Sequence, residues 1–307
     1  MKPLLIIPPA PERWPMLDAF PAEWDPLHRA DLKKRLADDL PGAQDALAVT
    51  MDGGHLLACG WISKRYDLGI LNRLATRPEH RGRGHARRLV EALLAWFDMT
   101  GGKWLYATAP ADLGERLFSR FGFKALRRAT RSPQDVVVLL RTAPGVPEDP
   151  LLTADGKVTV HEVARVNWPS MVVLLHNRAG PDPRVGLNES AVSAERMTLE
   201  LIEQAEAGRC HLKAAFHGFR LVGLATLALD RQTERTFAVI MPHDEAPAVL
   251  RTAVIDFARS LGYARVDFPM EALELGEVRV ATSAAGGPTS AAEPERLSES
   301  PASDAPA

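Results

Sequence analysis

The sequence predicts an α/β (α+β) fold that occurs in two tandem copies, of which the second is degenerate. Three observations support this prediction. Short apolar and β-branched runs alternate with stretches whose apolar residues recur at helical spacing. The same order of elements begins again after a stretch rich in Pro, Asp and Gly at residues 143–157. A strand, a glycine-rich loop and an amphipathic helix follow one another between Leu71 and Phe97.

The elements of the first copy, residues 1–142, follow from local patterns in chain order. Prolines end two of the strands, Asp52-Gly53-Gly54 marks a hairpin, and Gly101-Gly102 ends the longest helix. We predict strands at residues 4–7, 46–51, 55–63, 71–76, 104–108, 124–130 and 136–141. We predict helices at residues 14–19, 31–40, 86–100 and 113–120.

The second copy is expected at residues 158–280. We predict strands at residues 158–163, 210–216, 220–229, 236–241 and 265–268, and helices at residues 170–176, 194–207 and 249–261. Subtracting Pro78 from Pro242 gives an offset of 164, at which Arg251 aligns with Arg87. Two unrelated α/β domains with a similar strand–helix pattern remain the alternative.

The loop Arg81-Gly82-Arg83-Gly84-His85-Ala86 is typical of a phosphate site. Glycines allow the backbone to approach a ligand, and the following helix adds unpaired N–H groups and the positive end of its dipole. Six arginines lie between Arg73 and Arg88. The loop is neither a Walker motif nor the dinucleotide fingerprint, because Arg87 stands where the third glycine belongs. A solvated arginine-rich turn or a nucleic-acid patch is the alternative.

The same stretch resembles motif A of the GNAT superfamily, the acyl-CoA-dependent N-acetyltransferases. That motif is Q/R-x-x-G-x-G/A, filled here by Arg81, Gly84 and Ala86, after a strand written L-x-V-x-P, filled here by Leu74, Thr76 and Pro78 with Thr in place of Val. The segment FSRFGF at residues 118–123 resembles motif B. The resemblance implies a mixed, largely antiparallel sheet flanked by helices, with the catalytic domain at residues 1–142.

The resemblance also implies acetyl-CoA as acyl donor, without a metal. The pyrophosphate would bind the loop N–H groups, and the pantetheine would pair with the backbone of the central strand. The residues expected to bind the cofactor are Leu74, Ala75, Thr76, Arg81, Gly82, Arg83, Gly84, His85, Ala86, Arg87 and Phe118.

The catalytic side chains depart from the family pattern. Glutamates that act as base in various GNAT enzymes match Ile70 or Asn72, and the tyrosine that acts as acid matches Phe118. Asn72 could instead orient a water that relays the proton, so it is the expected catalytic residue. Other sources of a base are Asp67, Tyr66, His55 and Glu23. Without a base, kcat/KM should rise with pH toward the pKa of the acceptor.

The second copy has lost the chemistry of the loop. At the same offset, residues 81–84 become Glu245-Ala246-Pro247-Ala248. Pro247 lacks an N–H donor and Glu245 repels phosphate. We therefore expect one bound CoA per chain. Residues 281–307, dominated by Ala, Ser, Pro and Glu, are expected to be disordered.

The predicted function is N-acetylation of the primary amine of a small molecule. A non-catalytic acetyl-CoA-binding regulator, or a protein acetyltransferase acting on lysine or the N-terminus, is the alternative. The net charge of −2 argues against nucleic-acid or membrane partners, and no apolar run is long enough to span a membrane. Two cysteines and no signal peptide predict a cytoplasmic protein, expected as a monomer or homodimer.

Overall fold

A computed structural model describes most of the chain. It covers residues 2–20, 25–37, 40–131, 134–148, 157–178, 191–228, 235–240, 265–267 and 275–281, and single residues at 249, 252, 253, 256 and 260. Glu23, the loop at residues 245–248 and the predicted tail after residue 281 lie outside this part. Among the described helices, none is long and apolar enough to cross a membrane.

The N-terminal half forms a seven-stranded sheet in the order β1-β2-β3-β4-β5-β7-β6. The strands are β1 Leu4–Ile6, β2 Ala43–Asp52, β3 His55–Arg65, β4 Leu68–Thr76, β5 Trp104–Pro110, β6 Lys124–Arg131 and β7 Gln134–Thr142. Only β4 and β5 pair in parallel. The helices are α1 Trp14–Asp18, α2 Pro26–Ala37, α3 His85–Met99 and α4 Ala111–Phe118. The predicted class, a mixed and mostly antiparallel sheet flanked by helices, is confirmed.

Helix α2 begins earlier than its apolar spacing predicted. The sequence pattern placed its start at Asp31, but the helix starts at Pro26. The Leu27 N–H donates to the Asp25 carboxylate at 2.9 Å, so Asp25 caps the helix and proline occupies its first turn. Asp25 and Pro26 therefore determine where α2 begins, and the spacing of its apolar residues does not.

The C-terminal half forms a six-stranded sheet in the order β12-β13-β11-β10-β9-β8. Its elements are β8 Val158–Glu162, α5 Trp168–Arg178, α6 Ala191–Glu206, β9 Cys210–His217, β10 Arg220–Ala228, β11 Arg235–Ile240, β12 Arg265–Asp267 and β13 Leu275–Ala281. Strand β13 was not predicted. It lies between β11 and β12, so the strand predicted at residues 265–268 pairs with β13 and not with β11.

One apolar core joins the two halves. Side chains alternate along β5, so Leu105 and Ala107 pack toward α3, whereas Trp104 and Tyr106 face the other way. On that second face, residues of α5 and α6 complete the core; they include Trp168, Met171, Val172, Leu199 and Ile202. The C-terminal half therefore covers one face of the N-terminal sheet.

A buried ionic network reinforces this junction. The Asp31 carboxylate, with no exposed surface, accepts hydrogen bonds from Arg35 at 2.9 Å, Arg73 at 2.9 Å and Arg165 at 2.7 Å. Burial alone would raise the pKa of Asp31, but the three guanidinium groups lower it to about 2. Because Asp31 lies in α2 and Arg165 belongs to the C-terminal half, the network connects the two halves.

Candidate active site

The two parallel strands of the N-terminal sheet separate before they end. Their pairing runs from Leu68 opposite Trp104 to Leu71 opposite Ala107 and stops there. Beyond that point β4 pairs only with β3, and β5 only with β7 as far as Pro110. The facing backbone edges leave a slot between the strands, with room for an extended group to add backbone-like hydrogen bonds.

A strained residue shapes one wall of the slot. Arg73 has a φ of 53° and stands at an irregularity in the pairing of β3 with β4. Such a conformation costs about 1–3 kcal/mol for a residue other than glycine. The Arg73 guanidinium is held by the Asp31 carboxylate, by the His28 carbonyl at 3.3 Å and by Asn72 Oδ1 at 2.8 Å. These bonds hold Arg73 in its strained conformation.

The loop after β4 presents a row of N–H groups. Gly82 and Gly84 both have a φ of 75°, which favours glycine, and Gly84 precedes the first residue of α3, His85. Within the described part of the chain, the N–H groups of residues 82–87 have no backbone acceptor. A Cβ added at Gly82 would meet nothing within 4 Å. The loop can therefore receive an anion at close range.

The arginines around this loop divide into two groups. Arg81 donates to the Thr76 carbonyl at 3.3 Å, and Arg88 donates to the Arg83 carbonyl at 3.1 Å, so both pack along the loop backbone. Arg87 extends from the first turn of α3, where it is well exposed. Arg73, which lies on β4 itself, belongs to the buried network around Asp31 instead.

Two other residues expected at the cofactor have mainly packing environments. His85 is buried with 6% of its surface exposed, and burial together with Arg88 lowers its pKa, so it is neutral at pH 7. Phe118 is 3% exposed and packs edge-to-face on Phe123 at 5.1 Å. Phe118 therefore supports α4 from the core.

Two of the side chains proposed as alternative bases, Tyr66 and Asp67, lie at the end of β4 opposite the slot. Asp67 is bound by Arg220 at 2.7 Å at the opposite end of β4. Tyr66 is half exposed and contacts the Phe219 ring at 5.1 Å. His55 is exposed and lines a surface pocket with Arg77 and His80, just beyond the carboxyl end of β4. Glu23 is outside the described residues.

A different set of polar groups meets at the mouth of the slot. One step beyond the last β4–β5 pair, the register places Asn72 opposite Thr108. Asn72 is 8% exposed, and both its Nδ2 and the Thr108 hydroxyl lack a hydrogen-bond partner of good geometry. Glu195 of α6 interacts with that hydroxyl from the C-terminal half. Glu195 was not predicted from the sequence, because no motif or residue pattern around it indicates a functional site.

The environment of Glu195 changes its acidity. Burial raises the pKa of Glu195 to about 7, and Arg73 and the Thr108 hydroxyl partly oppose this effect. The residue still keeps some exposed surface. Its own carbonyl accepts from the Trp168 indole at 3.4 Å and from the Thr198 hydroxyl at 3.0 Å, which fixes this turn of α6 over the sheet.

Known proteins provide a further comparison. Residues 12–123 match the sequence model of the Acetyltransferase (GNAT) family, and these residues contain the slot, the loop and α3. No curated protein matches the chain.

Solved structures also match, at low identity. The ribosomal-protein-S18-alanine N-acetyltransferase of Escherichia coli is 15% identical, over 48% of this chain and 97% of that one, with a TM-score of 0.37. A putative acetyltransferase of the GNAT family from Desulfovibrio desulfuricans is 18% identical, over 46% and 98%, with a TM-score of 0.35. ElaA of Escherichia coli is 16% identical, over 46% and 99%, with a TM-score of 0.37.

Proposed function

We propose that the protein is an N-acetyltransferase that moves an acetyl group from acetyl-CoA directly to a primary amine of a small molecule. The observation that carries this proposal is the slot between β4 and β5, which opens beside a loop with free N–H groups. The match of residues 12–123 to the GNAT family supports it independently.

The residues present fit acetyl-CoA in two ways. The N–H groups of residues 82–87 and the N-terminus of α3 suit a pyrophosphate, since a helix dipole places about half a positive charge there. The open backbone edge of Leu74, Ala75 and Thr76 suits the amide groups of a pantetheine arm, which would pair as an added strand.

The chemistry needs few protein groups. A backbone N–H in the slot would polarise the thioester carbonyl, and the amine nitrogen would attack its carbon as the C–S bond breaks. A thiol with a pKa of about 8.5 leaves readily as thiolate, so the missing hydroxyl at Phe118 is tolerable. The larger requirement is an acceptor nitrogen without its proton.

The covering of the sheet favours a small acceptor. Helices α5 and α6 pack on the face of the sheet toward which Tyr106 points, and Thr108 at the mouth of the slot lies on the same face. A folded protein would need an open groove on that side. We therefore propose a small amine, and a lysine or N-terminal acceptor is the alternative.

We further propose that the C-terminal half is a degenerate second copy. Both halves begin with a strand, a 3₁₀ turn, two helices and three strands, and β1-β2-β3-β4 and β8-β9-β10-β11 are both antiparallel series of neighbours. The two halves differ at the next position in the sheet. The next neighbour of β4 is the parallel strand β5, whereas that of β11 is the antiparallel strand β13.

Binding and turnover together test the proposal. Calorimetry should show CoA binding by the parent, and thiol release should accompany acetylation of at least one amine in a panel of alkyl and aryl-alkyl amines. Gly84→Glu places a carboxylate where phosphate is expected and should abolish binding. Gly101→Glu, at the other end of α3 with the same φ of 75°, is the matched control. Equal CoA affinity in the two variants would contradict the proposed site.

A further inference from the structure

We propose that Glu195, contributed by α6 of the C-terminal half, binds the ammonium group of the acceptor and removes its proton. This inference rests on the proposed acetyl transfer and assigns its acceptor site. It replaces the expectation that the amine loses its proton without a protein base.

The position of Glu195 follows from the register of the sheet. Side chains at alternate positions of β5 point to the same face, so Thr108 shares the face of Trp104 and Tyr106, which α5 and α6 cover. Glu195 acts on the Thr108 hydroxyl, at the position where β5 first lacks its neighbour β4. The carboxylate therefore stands at the mouth of the slot.

Unsatisfied polar atoms at the same place indicate a polar ligand. Asn72 Nδ2 and Arg73 Nε are buried without a hydrogen-bond partner of good geometry, and the Thr108 hydroxyl interacts with Glu195. Buried polar atoms of this kind cost about 1–3 kcal/mol each unless a partner is bound. Among the described residues, no cationic side chain lies within ion-pair distance of the Glu195 carboxylate. The unpaired donors require an acceptor such as a carbonyl oxygen, and the Glu195 carboxylate supplies the acceptor that an ammonium group requires.

The surrounding charges set the ionisation of Glu195. Arg73 on β4 favours the carboxylate, but its guanidinium is engaged by Asp31. His28 on α2 has a pKa lowered to about 4 by burial and by Arg73, so it is neutral. On α6, Arg196 is paired with Asp25 at 3.0 Å. A carboxyl with a pKa of about 7 is part ionised at neutral pH, which suits a base that must also return its proton to solvent.

The proposed step balances as follows. The Glu195 carboxylate takes one proton from the ammonium group, leaving a neutral amine. The nitrogen lone pair forms a C–N bond with the thioester carbon while the C–S bond breaks and its electron pair leaves on sulfur. A second proton passes from nitrogen to the thiolate, which departs as CoA thiol, and Glu195 releases its proton to water.

The test compares Glu195→Gln with Glu200→Gln in the full chain. Glu200 lies on the exposed side of the same helix, where it pairs with Arg196, so it controls for charge loss in α6. With an alkyl amine of pKa about 10, kcat/KM of the parent should rise with pH and level off near pH 7. Glu195→Gln should lower kcat/KM about 100-fold and remove the break, with CoA affinity unchanged. Glu200→Gln should keep both.

Thr108→Val tests the role of Glu195 through the pH of the break in kcat/KM, which would not change if Glu195 had a purely structural role. Its hydroxyl favours the ionised carboxylate, so its loss should shift the break to higher pH. An unchanged break, or equal pH profiles for Glu195→Gln and Glu200→Gln, would reject the role of Glu195 alone. A parent that does not bind CoA would reject the proposed function, and one that binds CoA but acetylates no amine at any pH would reject both.

Discussion

Strands β4 and β11 hold the same place in their respective sheets but have different neighbours. Four residues of the nine-residue β4 pair with the parallel strand β5, and the remainder of that edge is open. Strand β11 has six residues, and five of them pair with the antiparallel strand β13. The first sheet therefore has a slot at its centre, whereas the described residues of β11 are paired with β13 along nearly their whole length.

The difference shows what a binding slot in such a sheet requires. A parallel neighbour arrives through a helical crossover, so the loop and the helix N-terminus lie at the carboxyl end of β4, next to the diverging edges. An antiparallel neighbour such as β13 occupies the edge along its length. The comparison predicts that only the N-terminal half binds CoA.

The largest expected effect concerns stoichiometry. Calorimetry should give one CoA per chain for the parent, because in the part of the chain that the structure describes only the N-terminal sheet has an open edge beside an N–H-lined loop. Gly84→Glu should reduce this to none. Residual binding in the variant, or two sites in the parent, would break the comparison by placing a second site in the C-terminal half.

Loss of the buried network is the next largest effect. Asp31→Ala removes the carboxylate that three guanidinium groups share, which leaves the buried Arg73 without its ion pair, and should lower the free energy of unfolding by about 3–5 kcal/mol. Asp18→Ala removes an exposed pair with Arg29 and should cost less than about 1 kcal/mol. Urea titrations measure both. Similar losses would mean that the network does not hold the halves together.

The pH dependence of the free energy of unfolding tests the contribution of Asp31 further. Because the folded-state pKa of Asp31 is lowered to about 2, its contribution is fully present above its unfolded-state pKa and is lost as pH falls through about 2. The difference in unfolding free energy between the parent and Asp31→Asn should stay constant from pH 7 to about pH 5 and shrink toward pH 2. A difference that is independent of pH would contradict this assignment.

The smallest effect is a gain in stability. The raised pKa of Glu195 means that the folded state prefers the protonated carboxyl, so stability is lost as pH rises from the unfolded-state pKa through about 7. Glu195→Gln removes this cost and should melt about 2–4 °C higher than the parent at pH 8. At pH 4 the two melting temperatures should coincide. Glu200→Gln should show no such gain.

The strand, loop and helix at the centre of the site could be predicted from local sequence. Gly82 and Gly84 adopt the φ that only glycine accepts easily, and the apolar spacing after Ala86 marks α3 to within a residue of its start. Strand β13 was missed, although Val278 and Val280 alternate with polar residues, because a short run after many polar positions is a weak signal.

Other features required the packing of the halves. Arg73 was grouped with the phosphate-loop arginines by proximity in sequence, but its side chain turns into the network around Asp31. No local sequence pattern predicts that Arg73 joins this network, because Arg165 and α6 come from distant parts of the chain. The same holds for the meeting of Glu195 with Thr108.

The sequence by itself determined the loop and the strand–helix order around it, because glycine conformation and apolar periodicity act over a few residues. The tertiary structure alone decided which carboxylate faces the slot and what holds Arg73 in its strained conformation. Those contacts join residues far apart in the chain, and they form only when the apolar faces of α5, α6 and the first sheet pack together.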